Sequence, residues 1–222
     1  MLEAIGHILP IALAVAISSV PITATIVILL SPKGSQTALP FLIGWALGMA
    51  VVVTLFTLGA HAIPSPRSDR RPDTVIATLE VLVGAVLVVL AIVEWRRARR
   101  HPSDAMPKWL GEVDKLGPWS AFGIAFALNA RPKGLLLALA AGLAIRAPDL
   151  TVGESAIVIL IYTIIGASTV AVPVILALAD PKGMQPRLIA MKDWITRNQG
   201  TVTALILLLV GVVIIGMGLA AL

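Results

Sequence analysis

Residues 119–145 read WSAFGIAFALNARPKGLLLALAAGLAI, an apolar stretch interrupted at its centre by Asn129-Ala130-Arg131-Pro132-Lys133-Gly134. A helix needs about 20 apolar residues to cross the hydrocarbon of a bilayer, and this stretch has that length. Its middle nevertheless holds two cations and a proline. A proline in a helix interior removes one backbone hydrogen bond and clashes with the carbonyl four residues back. A cation at the centre of a span costs at least about 2.5 kcal/mol. Two arrangements meet these constraints. In one, the span is broken near the midplane into half-helices, and Arg131 and Lys133 face a wet cavity, a counter-charge or a substrate. In the other, the helix starts only at Pro132, the two cations snorkel to the interface, and residues 119–128 form a separate interfacial or re-entrant segment. In the first arrangement Arg131, Lys133 and the positive end of the second half-helix together favour an anionic group: phosphate, sulfate or carboxylate.

Five further blocks of similar length flank this one. The predicted spans are Ile8–Leu30, Leu39–Ala62, Thr74–Trp95, Trp119–Ile145, Gly153–Ala179 and Thr201–Leu222, separated by Pro, Gly and charges. Of 222 residues, 58% are apolar and 13% charged, against about a quarter charged in soluble domains. The solvent for this chain is lipid, and the fold class is an all-α polytopic membrane protein in one membrane domain. The first block lacks the basic flank of a cleavable signal and is read as a retained span. The net charge of +5 sits in short loops, where it sets orientation better than it binds nucleic acid. Cations concentrate after the third span (Arg96, Arg97, Arg99, Arg100, Lys108, Lys115) and after the fifth (Lys182, Arg187, Lys192, Arg197). Both loops are expected on the cytoplasmic side of the plasma membrane, with both termini extracytoplasmic. Arg67, Arg70, Arg71 and Arg146 fall on the other side, and the cluster from Arg67 to Arg71 runs against the rule.

The chain also divides into two halves of three spans, residues 1–95 and 118–222, joined by a basic linker, 96–117. Ser18-Ser19-Val20-Pro21 in the first span matches Asn129-Ala130-Arg131-Pro132 in the fourth. An odd number of spans per half inverts the second copy, the architecture of many secondary transporters, in which discontinuous helices carry the substrate. Pro21 alone reads equally as a kink packed on a neighbour, with Ser18, Ser19, Thr23 and Thr25 satisfying freed backbone groups. Glu80 lies about two turns inside the third span. There it serves as a proton-coupling carboxylate or a counter-ion for Arg131 or Lys133, unless the span starts later and leaves it among the headgroups. Gly44 with Gly48, and Gly211 with Gly216 and Gly218, permit close helix packing or a homodimer. The run from Trp95 to His101 can attract anionic lipid at the cytoplasmic face, and residues 187–197 have the make-up of an interfacial amphipathic helix.

Enzymatic chemistry is not expected. The absence of cysteine excludes thiol chemistry and thiolate metal sites. His7, His61 and His101 have no metal-ligand spacing, and Pro-Lys-Gly at 32–34, 132–134 and 181–183 lacks the pattern of a phosphate-binding loop. No cofactor is implied.

Ser19-Val20-Pro21-Ile22, Leu29-Leu30-Ser31-Pro32-Lys33 and Phe41-Leu42-Ile43-Gly44-Trp45 are followed in order by Pro107-Lys108-Trp109-Leu110, Asn129 to Gly134, Ala140-Ala141-Gly142, Val172-Pro173-Val174 and Lys192-Asp193-Trp194. In that order they resemble the GAP/Sap family, the glycolipid- and sulfolipid-addressing proteins of actinobacteria within the LysE exporter superfamily. The resemblance implies two inverted three-helix halves that translocate a lipid or glycolipid toward the cell envelope. Where the superfamily has Asn-Pro-Lys in its fourth span, this chain has Ala130-Arg131 between Asn129 and Pro132. A substrate site therefore carries over to Pro132 and Lys133 more directly than to Asn129. Exporting a small polar solute, such as an amino acid or ion, and acting as a non-transporting scaffold of an envelope-lipid export machine are the alternative readings.

Overall fold

The computed structural model describes residues 2–62, 74–100, 117–146 and 150–220, and all of its described secondary structure is helical. The elements are α1 (Leu2–Ala16), α2 (Ser19–Leu30), α3 (Gly34–His61), α4 (Thr74–Arg100), α5 (Pro118–Leu128), α6 (Pro132–Arg146), α7 (Val152–Ala179) and α8 (Pro181–Ala220). The Arg67–Arg71 cluster, His101, Lys108, Lys115 and the Pro107-Lys108-Trp109-Leu110 motif lie outside the described residues.

Four segments are long and apolar enough to cross a membrane: Gly34–His61, Ala77–Arg99, Val152–Ala179 and Gly200–Ala220. Two helix pairs reach that standard only jointly: Ala4–Ala16 with Ser19–Leu30, bent by 47°, and Pro118–Leu128 with Pro132–Arg146, bent by 63°. Among the described residues the chain thus holds four candidate spans, or up to six if each pair crosses once. Large apolar side chains cover the outer faces, with Leu55, Leu58, Ile164 and Leu205 all more than half exposed. Such faces suit hydrocarbon, where the helices already satisfy their own backbone.

Local chemistry sets the boundaries. Pro118 occupies the first turn of α5 and Pro132 opens α6, positions where a missing N–H leaves no bond unmade. Pro21 is the third residue of α2. Each helix is therefore interrupted before its proline, and Pro21 and Pro132 lie in the first turns of α2 and α6 rather than inside a continuous helix. Thr151 caps α7 by accepting from the Glu154 amide, and the Glu154 carboxylate accepts from the Thr151 amide at 3.0 Å. This reciprocal box satisfies two otherwise orphaned donors.

The core is built from small residues that let helices approach, among them Ala121, Ala125, Ala140, Ala141 and Ala144. Phe41, Tyr162, Ile8 and Ile11 fill the space between them. α4 and α8 run antiparallel through a glycine seam: a methyl group on Gly84 would fall 2.8 Å from the Gly211 carbonyl, and one on Gly218 2.8 Å from that of Ala77. Such contacts are how packing replaces the hydrophobic effect between helices in lipid. The early part of α8 lays Met184, Leu188, Met191 and Ile195 against Ile22 and Ile26 of α2 and Ala177 of α7. The amphipathic segment expected at residues 187–197 is thus helical, and one apolar stripe of it is buried within the protein; Ile189 and Trp194 remain exposed.

Candidate functional site

The interruption between α5 and α6 is fixed by Asn129. Its side chain is 5% exposed, and its amide nitrogen donates to the Trp45 carbonyl at 3.3 Å and to the Ala125 and Phe126 carbonyls at 3.2 and 3.4 Å. The last turn of α5 keeps its carbonyls satisfied in this way and is tied to α3. Gly44 and Gly48 make the approach feasible: a methyl group on Gly44 would collide with the Phe122 carbonyl oxygen, and one on Gly48 would fall 3.0 Å from the Phe126 carbonyl and against the Asn129 amide. The Gly44–Gly48 face, one of the candidates for helix association, is therefore occupied by α5 of the same chain.

This contact gives the interruption a depth. α3 runs from Gly34 to His61, so Leu47 and Gly48 are its middle residues, and Asn129 binds beside them. Arg131 follows two residues later and is exposed, Pro132 is exposed, and Lys133 is half-buried in the first turn of α6. α5 packs chiefly against α3, which leaves this corner open to the side of the bundle. Neither cation has an ion-pair partner within 4.0 Å among the described residues.

Two acids stand on α4, whose middle residue is Leu87. Glu80 is 6% exposed and unpaired among the described residues. Glu94, half-buried, lies fourteen residues further on, roughly 21 Å along the helix axis. α4 and α6 are in contact. Glu94, at the end of the expected third span, has no part in the sequence reading, which takes Glu80 as the acid within that span.

At the first interruption Pro21 and Ser19 are buried, and Ser18 precedes α2 without a side-chain capping bond. The Thr25 hydroxyl donates to the Pro21 carbonyl at 2.7 Å, while the Ala16 carbonyl at the end of α1 accepts from the hydroxyl of Thr169 on α7. Thr169 is three residues from Gly166, one of the two middle residues of α7, so this interruption is also near mid-span. The Thr23 hydroxyl and the Trp45 indole nitrogen are buried without hydrogen-bond partners, one beside each interruption. The structure therefore gathers Asn129, Arg131, Pro132 and Lys133 at one interruption and Ser18, Ser19 and Pro21 at the other. No hydrogen bond among the described residues joins the two groups.

At the end of α4, Arg96, Arg97 and Arg99 are exposed, and Arg99 lies over the Trp95 ring at 4.6 Å. Gly200 of α8 fits against Ala98, so Arg197 approaches the same end. A family model described as Sap, sulfolipid-1-addressing protein, matches residues 8–220. No curated protein and no solved structure matches the chain.

Proposed function

The chain belongs to the Sap, sulfolipid-1-addressing protein, family, and we propose that it moves an anionic lipid or glycolipid toward the cell envelope, binding the headgroup at the α5–α6 interruption. One observation carries this reading: Asn129 bonds beside the middle of α3, and Arg131, two residues later, is exposed. In hydrocarbon a cation at that depth costs at least about 2.5 kcal/mol, so its retention calls for water or an anion there. An exporter of small solutes keeps its binding residues inside a sealed path. A lateral opening instead lets a headgroup enter while its acyl chains stay in the bilayer.

In this reading each bent pair is one broken span and the two halves are inverted repeats. The packing supports it. Exchanging span one with four, two with five and three with six carries the contacts of α3 with α5 and α6 onto those of α7 with α1 and α2. It also leaves the pairs α3–α7 and α4–α8 in place and carries α4–α6 onto α2–α8. The exposed cations at the end of α4 and the start of α8 share one end of the molecule, which supports a cytoplasmic assignment for that end and extracytoplasmic termini. Glu80, buried without an ion pair among the described residues, is assigned to proton coupling in this scheme. A scaffold role within an envelope-lipid export machine is the competing account.

The test is transbilayer movement of a fluorescent sulfated glycolipid in liposomes holding the purified chain. The wild-type protein is expected to accelerate it, and Arg131→Gln and Lys133→Gln each to slow it by about tenfold or more, the loss of one charge-assisted contact. Folded variants that move the lipid at the wild-type rate overturn the site. No movement with any form of the protein favours the scaffold.

A further inference from the structure

The correspondence between the two halves is incomplete, and it fails at the first half-helix of each bent pair. α1 packs on α6 and α8 as well as on α7. Exchanging the halves turns those two contacts into α5 on α2 and α5 on α4, and neither pair is packed among the described residues. Aligning Pro21 with Pro132 brings the difference down to single residues: Ile8 pairs with Trp119, Ala12 with Gly123, Val15 with Phe126 and Ala16 with Ala127. The four in α1 are at most 6% exposed, whereas all four in α5 are exposed, Trp119 at 86%. Ala14 and its partner Ala125 are buried in both helices, in keeping with the shared packing of α1 on α7 and of α5 on α3. One face of the half-helix is thus covered in both halves, and another in the first half alone. On that second face of α5, Gly123 and Ala127 lie one turn apart, and nothing stands within 4 Å of a methyl group on Gly123. Other outer faces carry large side chains such as Leu55, Leu58, Ile164 and Leu205; small residues four apart suit a neighbouring helix.

We propose that the uncovered face of α5 is a docking surface for α2 and α4 of the same chain, closed when α1 parts from α6 and α8. Two halves of one architecture can each take the other's conformation, so the chain has two states related by exchanging the roles of its halves. The arrangement described above is the state with α1 docked and α5 free. Arg131 follows directly on α5 and is exposed in this state; docking moves that corner against the bundle, so a headgroup held there changes its surroundings as α5 closes. The inference rests on the inverted-repeat transport reading and deepens it by naming the surface on which the two states differ.

The first arm of the experiment is movement of the fluorescent sulfated glycolipid in liposomes holding the full chain. Gly123→Leu fills the docking face where it has no neighbour in the α1-docked state. It should fold, bind the lipid within about twofold of the wild-type protein and slow its movement by about tenfold or more, the effect of an overpacked contact present in one state only. Gly216→Leu, equally free of neighbours, is the control and should move the lipid at the wild-type rate. A folded Gly123→Leu protein with wild-type movement overturns the proposal. The second arm measures the distance between spin labels at Ser120 and Val93, both exposed, in nanodiscs holding one copy each. Ala12→Leu crowds the docked face of α1 and should add a shorter distance, which Gly123→Leu in the same chain removes. A single unchanged distance overturns docking within the chain, and if Gly123→Leu still slows movement in liposomes, the face belongs to a second copy. Slowing by Gly123→Leu but not by Arg131→Gln or Lys133→Gln keeps the docking and removes the headgroup site; the reverse keeps the site and removes the docking. If no form of the chain moves lipid, the transport reading falls and the label distances alone decide the docking.

Discussion

Asn129 shares the two hydrogens of one amide among carbonyls of α3 and α5, and Gly48 leaves the room it needs. A side chain on Gly48 would push Asn129 and the Phe126 carbonyl away. Gly48→Ala is therefore expected to lower stability by about 1–3 kcal/mol, the usual range for an overpacked contact. Gly216→Ala is the control, since nothing lies within 4 Å of a methyl group there, and it should stay within about 0.5 kcal/mol. Unfolding in mixed detergent measures both. Asn129 was legible in the sequence as a polar residue at a span centre, but its role was not. An amide deep in a span reads equally as a ligand or as a cap for freed carbonyls, and only the neighbouring Trp45 carbonyl and Gly48 decide how its nitrogen is used.

The two interruptions show what a helix does with backbone groups that lipid cannot satisfy. At the first, the expected local hydroxyls do not supply the answer: Ser18 makes no capping bond, the Thr23 hydroxyl has no partner, and Thr25 donates to the Pro21 carbonyl within α2 itself. The Ala16 carbonyl is met from another span by Thr169. Thr169→Val keeps the shape and removes the donor, so it should destabilise the protein by about 1 kcal/mol, within the range of interhelical hydrogen bonds in membranes. It should do so more than Thr163→Val, whose hydroxyl bonds within its own helix at 2.8 Å. Thermal unfolding of the two variants side by side compares them. Span positions were legible because the apolar blocks are long and punctuated; Val152–Ala179 and Gly34–His61 fall within a few residues of the expected 153–179 and 39–62. The sequence leaves Pro21 open between a kink and a break, and Pro132 between a broken span and a helix that starts there. The bends of 47° and 63° ahead of Pro21 and Pro132 put both in first turns, where their missing N–H groups leave no bond unmade.

At the scale of the whole molecule, the proposed site lies where the α5–α6 interruption meets α3, and Glu80 is buried on α4. Under the proton-coupling assignment, Glu80→Gln in liposomes should abolish any dependence of lipid movement on an imposed pH gradient while leaving headgroup binding within about twofold, less than the loss of a single contact. A binding defect without a change in gradient dependence contradicts that role. Because the chain has no cysteine, single cysteines can report depth without a prior background removal. Spin labels at Ala130, beside the cations, and at Leu47, an exposed middle residue of α3, can be compared by their relative collisions with oxygen and a water-soluble nickel chelate in bilayers. The account predicts that the two labels share one depth within about a helical turn, roughly 5 Å, and that an anionic lipid changes the signal at Ala130 alone. A label at Ala130 that sits at headgroup level, well above Leu47, contradicts it.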